Sequence, residues 1–525
     1  MTSTTSSKLG TSPPHAGVTL VALILVATVA NLNLSVANVA LPDIGVAFKA
    51  SQSSLNLVAV GFSLGLAGTV LYLGALGDRY GRSMMLLIGT ALAVPTSIAA
   101  AWSGSVEMLI VARVLGGIAA GMAYPTTLAL ITALWSGPGR VRAIAAWSAI
   151  GASLAAIGPL LAGACLNAFW WGSCFLISIP LAVVAFVLAL RYVPSHVNES
   201  TKPVDHLGGG ISIIAVMAVV LAINLAPSPG QGRLALITAI VAIAALAAFF
   251  TRQRHVAEPL FDLAVARRRI FWVAATGGLI VFGTLMAAIF LGEQYLQNVL
   301  GYSTLKAGSA GLPAAVAMLI AAPMSARMIE RFGSRTTLLS GYAFCLAAFV
   351  MMLVTWTETS GFLVVALAFC LAGIGVGLAG TPASHSLTGS VPVRRAGMAS
   401  GTSDLQRDLG GSIMQSILGA ILTAGYAAAV AARLTSSPTK VSNAVASELQ
   451  RSFASAAVVS KQFPEYASSI IDGAKASFLQ GANWAYAIGC LTIVIGGIVI
   501  ATCFPGRDEE RRLLASYAAE DAPAA

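Results

Sequence analysis

Asp404, Arg407 and Asp408 stand in an otherwise apolar stretch, residues 397–431. If that stretch is a helix, Asp404 lies about 14 Å and Asp408 about 20 Å beyond Arg395 at the usual helical rise. Both depths fall well inside a hydrocarbon core about 30 Å thick. The two acids are four residues apart and share one helix face, with Arg407 within reach of Asp404. Desolvation and the like charge favour the protonated carboxyl, while Arg407 favours the ionised one. An acid balanced in this way can exchange a proton for a cationic solute. The structural alternative is a buried ion pair with a spare acid. Ionisable groups this deep in an apolar segment are, by default, a functional site.

Other residues carry weaker chemistry. Arg113 lies in the apolar run 107–134, where a central arginine costs roughly 2.5–3.5 kcal/mol even on a lenient scale. It reads either as a fixed cation in a solute path, favouring the ionised form of a nearby acid, or as a shallow side chain that snorkels. Gly158, Pro159 and Gly163 fall in one apolar run, with Gly151 a few residues before them. Proline removes a helix hydrogen bond, and small residues let a second helix approach closely. A hinge or sealed seam and ordinary packing both fit. Gly74-Ala75-Leu76-Gly77-Asp78-Arg79-Tyr80-Gly81-Arg82 spans a short turn between two apolar runs. Gly81 suits a positive φ there. Asp78, Arg79 and Arg82 sit at helix ends and can pair across a bundle as a clasp. Glu293 lies near the end of its run and is either a second acid or simply solvated. His385 reads as structural. The chain has no G-x-x-x-x-G-K-[ST] loop, G-x-S-x-G elbow or H-E-x-x-H pair, which argues against an ATP-driven pump and the common hydrolases.

The elements that must hold these residues follow from hydropathy. Of 525 residues 57% are hydrophobic and 10% charged, against about 25% charged in soluble chains. Runs long enough to span a bilayer number fourteen: 17–41, 54–77, 84–102, 107–134, 142–165, 170–191, 209–227, 233–251, 271–296, 305–327, 336–356, 361–385, 397–431 and 482–504. The first of these reads as a membrane helix rather than a cleavable signal. With the first residues inside, inward segments carry twenty Lys and Arg and outward segments eight, five of the eight in one long loop. That bias predicts both termini on the cytoplasmic side. The net charge of +10 therefore reports inward loops rather than a nucleic-acid partner. The six cysteines lack metal-type spacing and read as small buried hydrophobes.

The chain also repeats itself. Glu330-Arg331-Phe332-Gly333-Ser334-Arg335 echoes 78–82, and 371–379 echoes 115–123. Each echo lies eight spans on. The simplest architecture is an all-α membrane protein of two six-helix bundles plus two inserted helices, a transporter plan with its site between the halves. The expected divisions are a disordered tail 1–16, a first bundle 17–200, two inserted helices 207–252, a basic linker 253–270 and a second bundle 271–504. Within the second bundle, 432–481 forms an outward loop with a partly helical cap and an amphipathic stretch at 444–459. Residues 505–525 form a cytoplasmic tail.

Several stretches resemble the major facilitator superfamily. Residues 74–82 resemble its motif A, Arg113 with Gly117 its motif B, and Gly158-Pro159 with Gly163 its motif C, the mark of antiporters. Asn38-Val39-Ala40-Leu41-Pro42, Tyr295 to Ser303, and Arg407-Asp408-Leu409-Gly410-Gly411 are similar to the fourteen-span drug/proton branch of EmrB/QacA type. The resemblance covers nearly the whole chain. It implies a fourteen-helix major facilitator fold, alternating access, a bacterial cytoplasmic membrane and proton-coupled multidrug efflux, with no cofactor beyond the proton gradient. Partners would be a small amphipathic substrate, protons and membrane lipids, and the chain would be a monomer. Asp404, Asp408, Arg113, Arg407, Glu293 and Asn33 would serve proton coupling or substrate. Gly74, Asp78, Arg79, Gly81, Arg82, Glu330 and Arg331 would gate, and Gly158, Pro159 and Gly163 would form the antiporter hinge. Asn33 stands where the branch often carries an acid, so coupling shifts to Asp404 and Asp408. The alternatives are export of a cell-envelope lipid or native metabolite, a non-transporting receptor or scaffold, and a membrane-embedded enzyme.

Overall fold

The computed structural model describes residues 13, 15–50, 52–195, 203–226, 231–392, 395–436 and 441–521. Residues 1–12 of the expected disordered tail lie outside them, as do the side chains of Asn38, Pro42 and Pro159. The first bundle comprises α1 (Ala16–Phe48), α2 (Gln52–Tyr80), α3 (Arg82–Ala101), α4 (Val106–Leu134), α5 (Gly137–Ala168), α6 (Ser173–Leu176) and α7 (Ser178–Tyr192). A hairpin of α8 (His206–Leu225) and α9 (Gly232–His255) follows, then α10 (Leu263–Ala266). The second bundle holds α11 (Arg269–Asn298), α12 (Thr304–Ser309), α13 (Leu312–Phe332), α14 (Ser334–Thr355), α15 (Phe362–Gly389) and α16 (Ala396–Ser436). It continues through α17 (Asn443–Arg451), α18 (Phe453–Gln462), α19 (Ala467–Cys503) and α20 (Arg507–Glu520). Among the described residues 13 helices are long and apolar enough to cross a membrane. The remaining expected leg, α5, is helical over its 32 residues. The fourteen legs alternate in direction. The face where α1 begins and α19 ends is called proximal here, and the opposite one distal.

The two echoed turns explain their glycines. Gly81 ends α2 with φ 124° and Gly333 ends α13 with φ 86°, a region that side chains rarely enter. Asp78 and Arg79 therefore lie inside the last turn of α2 rather than beyond it. The bundles meet along two seams, α2 against α16 and α5 against α13. The inserted hairpin packs through α8 on α2 and also touches α16. Much of the apolar surface of α9 stays exposed, including Leu236, Ile240 and Ile243. Asp205 caps α8 through the Gly208 N–H and binds Arg252 of α9 at 2.7 Å. Burial raises this acid, but the contacts with Arg252, Gly208 and Gln253 hold it below the usual carboxylate range.

Two regions take shapes that the sequence reading left open. The stretch 444–459 is divided between two helices, because Ser452 ends α17 and caps α18. α17, α18 and the extended ends of α16 and α19 line an open cavity of about 620 Å³ on the distal face. The tail, 505–525, contains a docked helix, α20. Arg268 binds Asp521 at 2.9 Å, Arg269 binds Glu509 at 2.7 Å, and Arg507 donates to the Glu330 carbonyl. Glu510 is buried, accepts the Ser334 N–H that opens α14 and accepts the Ser386 hydroxyl. A charged sequence reads as solvated surface, yet here it satisfies the orphan donor of a helix start.

Burial pushes the Glu510 carboxyl above its usual range, against the pull of Ser334, Ser386 and Arg511. The folded state thus holds a proton more tightly than the unfolded one. The cost is full above the raised value and is relieved as pH falls towards the ordinary carboxylate range. Glu510→Gln, whose amide oxygen can still accept the Ser334 N–H, is expected to raise Tm in detergent at pH 7.5. That gain should fade at pH 4. A lower Tm at both pH values would show that the charged hydrogen bonds outweigh the burial cost.

Candidate functional site

The centre of the molecule collects polar groups from both bundles. α16 runs along the interface, presenting Leu405 and Leu409 to Ala67 of α2 and Val216 of α8. The acids leave α16 elsewhere on its circumference. Asp404 is 1% exposed, and neither of its carboxylate oxygens has a protein hydrogen-bond partner among the described residues. Asp408, one turn on, is half-buried and leaves Oδ2 unpartnered. Ser400, one turn before Asp404, also has a buried hydroxyl without a partner. On α15, which packs beside α16, Thr381 and His385 each leave a buried polar atom unmatched. An isolated buried charge is expensive unless a counter-charge or hydrogen bonds compensate it. α15 and α16 therefore each carry buried polar groups that no described protein atom satisfies.

Arg407 forms no ion pair with Asp404, although the spacing puts it within reach and the structural alternative would have paired them. No ion pair among the described residues joins it to either acid. Its guanidinium instead crosses into the first bundle. The guanidinium carbon lies 4.7 Å from the Trp147 ring centre, 4.8 Å from Phe282 and 5.9 Å from Tyr124. Nη1 donates to the Tyr124 hydroxyl and Nη2 to Ser148 Oγ at 3.4 Å. Trp147 is held by its own N–H, which donates to Thr127 Oγ1 at 2.9 Å. The physical reason for the departure is that sequence spacing fixes the helix face but not the rotamer. Three aromatic faces attract a cation as the two acids do.

Arg113 occupies a separate level. It is 2% exposed and lies between the Phe62 and Phe175 rings, at 5.0 and 5.6 Å. Nη1 donates to the Asn33 carbonyl at 2.5 Å and Nε to the Val58 carbonyl at 3.3 Å, leaving Nη2 unmatched. The Asn33 amide donates to Ser178 Oγ at 2.9 Å and accepts from Ser97. Arg113 and Tyr124 are eleven residues apart on α4, about 16 Å, so the structure does not set Arg113 beside the α16 acids. Glu293 is half-buried near the distal end of α11.

The proximal clasp is closed. Asp78 binds Arg82 at 2.8 Å and accepts the Gly397 N–H of α16, also at 2.8 Å. Gly74 and Gly397 touch backbone to backbone. A Cβ on Gly397 would stand 2.5 Å from the Gly74 carbonyl oxygen and 2.6 Å from an Asp78 carboxylate oxygen. Arg79 lies over the Tyr80 ring at 5.7 Å. Glu330 reaches Arg142 of α5 at 3.6 Å, and Arg331 lies over Phe332. Gly158 lets α5 approach α1, since a Cβ there would meet Ser35 Oγ at 2.1 Å, and Gly163 is half-buried. Pro159 falls outside the described side chains, and α5 runs unbroken past it. Sequence reasoning missed Gly397, Tyr124, Trp147 and Phe282. Their only signal was an aromatic or glycine in an apolar run, where both are ordinary.

Comparison with known proteins places this arrangement. The chain is 30% identical over 495 residues to the multidrug efflux pump LfrA of Mycolicibacterium smegmatis, covering 94% of this chain and 97% of that one. It is 32% identical over 399 residues to the multidrug resistance protein Stp of Mycobacterium tuberculosis, covering 76% and 74%. The crystal structure of the human organic anion transporter MFSD10 (TETRAN) superposes with a TM-score of 0.60 at 12% identity, covering 93% of this chain and all of that one. The family model of the Major Facilitator Superfamily matches residues 23–415. A multi-pass membrane transporter with two six-helix bundles, an inserted pair and a charged interface, this chain belongs to the Major Facilitator Superfamily.

Proposed function

We propose that the chain is a proton-coupled multidrug exporter that takes up protons in exchange for amphipathic cationic or neutral compounds. The reading rests above all on Asp404, buried with neither carboxylate oxygen partnered, and on Asp408 one turn on, half-buried with Oδ2 unpartnered. A charge left bare at that depth is matched in turn by a proton and by a cationic solute. Similarity to LfrA and Stp supports the drug-export reading. A scaffold has no use for unmatched charges, which cost stability and hold nothing.

In this scheme the substrate and proton compete at α16, and the bundles rock about the seam to expose it alternately. Asp78 with Arg82 and Gly74 with Gly397 hold the proximal side shut, and Arg142 with Glu330 ties the other seam. Arg113 supports the first bundle's path from a level of its own, with Asn33 as a non-titrating neighbour. The excess of Lys and Arg in proximal segments orients that face to the cytoplasm of a bacterial cell. The transporter works as a monomer on the proton gradient, without a cofactor.

The test uses purified protein in lipid vesicles loaded with ethidium and given an imposed pH gradient. Gradient-driven movement that a protonophore collapses is the expected result. Movement indifferent to the gradient overturns proton coupling. No movement across a panel of cationic and neutral dyes overturns multidrug export.

A further inference from the structure

We propose that Tyr124, Trp147 and Phe282 form a recognition cage for delocalised organic cations, occupied here by the protein's own Arg407 as a tethered stand-in that substrate must displace. This rests on the export reading above and names the subsite that reads the substrate's charge.

The cage is built for a cation. Trp147 and Phe282 bracket the guanidinium at nearly equal distances, 4.7 and 4.8 Å, and Tyr124 closes a third side. All three residues are at most 5% exposed. A cation held by aromatic faces away from water is attracted more strongly than one at an exposed ring. Trp147 and Tyr124 brace one another at 5.7 Å between ring centres. The floor is α15, where a Cβ on Gly380 would stand 3.2 Å from the Phe282 ring and 3.7 Å from Ser148 Oγ. The internal repeat pairs Tyr124 with Gly380, since 115–123 corresponds to 371–379. One half thus supplies a ring where the other supplies space.

Arg407 is a poor permanent tenant. Its Nε is buried without a partner. Two acids with unmatched oxygens sit on the same helix, three residues before it and one after it. A guanidinium expelled from the cage has counter-charges waiting within its own reach. A planar or quaternary aromatic cation entering the cage keeps the ring contacts and leaves Arg407 to neutralise an acid. The walls come from both bundles, Tyr124 and Trp147 from the first and Phe282 from the second.

The experiment measures tetraphenylphosphonium binding to the full chain in detergent by equilibrium dialysis. The proteins are wild type, Arg407→Gln, Trp147→Leu and the double variant. An internal competitor lowers apparent affinity by the fraction of time it vacates the site. Arg407→Gln is expected to tighten binding by about tenfold or more. In the Trp147→Leu background the same change should alter affinity less than about twofold. Trp147→Phe, which keeps a ring and guards against loss of fold, should retain a partial gain. Unchanged or weaker binding in Arg407→Gln, with wild type still binding, overturns the cage and leaves the export reading intact. An equal gain with and without Trp147 also overturns it, because that gain would come from relieved repulsion beside the acids. No cation binding in any of the proteins removes the cationic substrate reading, and the cage with it.

Discussion

Asp404→Asn is expected to reduce gradient-driven cation export to the rate of protein-free vesicles. The carboxylate is 1% exposed, and both oxygens lack a protein partner. An ionised group in that position costs several kcal/mol if left bare. It is therefore tolerable only with a proton on it or a positive charge beside it, and this either–or is what couples the two flows. Asparagine keeps the shape and removes the exchange. The same logic predicts a competition that binding alone can read. Each tenfold fall in proton concentration should tighten cation affinity by up to about tenfold. Asp404→Asn should flatten that dependence, and Asp404→Glu should restore part of it. Asp408→Asn should weaken export less, since Asp408 is half-buried and a full turn away. Coupled export that survives both single variants and their combination would move the proton site elsewhere, with Glu293 the next acid to replace.

Gly397→Val is expected to stop turnover while leaving cation binding in place. The new side chain would meet the Gly74 carbonyl at 2.5 Å and the Asp78 carboxylate at 2.6 Å. The carbonyl belongs to the α2 backbone and cannot move aside, and the carboxylate is tied to Arg82 and to the Gly397 N–H. Overpacking of this kind costs about 1–3 kcal/mol. The cost falls only on the conformation in which the proximal face is shut, so it shifts that equilibrium by roughly 5- to 150-fold. A cysteine placed on the proximal segment beyond Gly81 should then label faster. Tetraphenylphosphonium affinity should stay within about threefold of wild type. Wild-type export in Gly397→Val would show that the clasp does not need this backbone contact. Gly397→Ala, a smaller intrusion, should fall between the two.

Much of this molecule was legible before its structure. Helix number follows from apolar length, because a bilayer demands about twenty residues per crossing. Gly81 pointed to a positive-φ turn, which occurs, and its echo Gly333 shares that conformation. The depth and common face of Asp404 and Asp408 followed from helical rise and period alone. What stayed hidden depends on neighbours distant in sequence. Arg407 had Asp404 within reach by spacing, but its actual partners come from positions 124, 147 and 282. Gly74 was recognisable within its motif, yet its partner Gly397 lies 323 residues on, beside a charged loop that drew attention instead. The docked α20 was missed because hydropathy ranks it as surface, whereas its worth lies in donors and charges that only the folded bundle presents.

The inserted hairpin has a consequence for how greasy solutes reach the centre. α8 lies against α2 and α16 along one seam, and α9 stands outside it with its leucines and isoleucines bare. The other seam, α5 against α13, has no such cover among the described helices. A molecule diffusing sideways in the lipid thus meets a double wall on one flank and a single helix–helix crevice on the other. The pseudo-twofold doorway that two matched halves would offer has become one-sided. A solute entering from the bilayer would meet its less covered crevice at the α5–α13 flank.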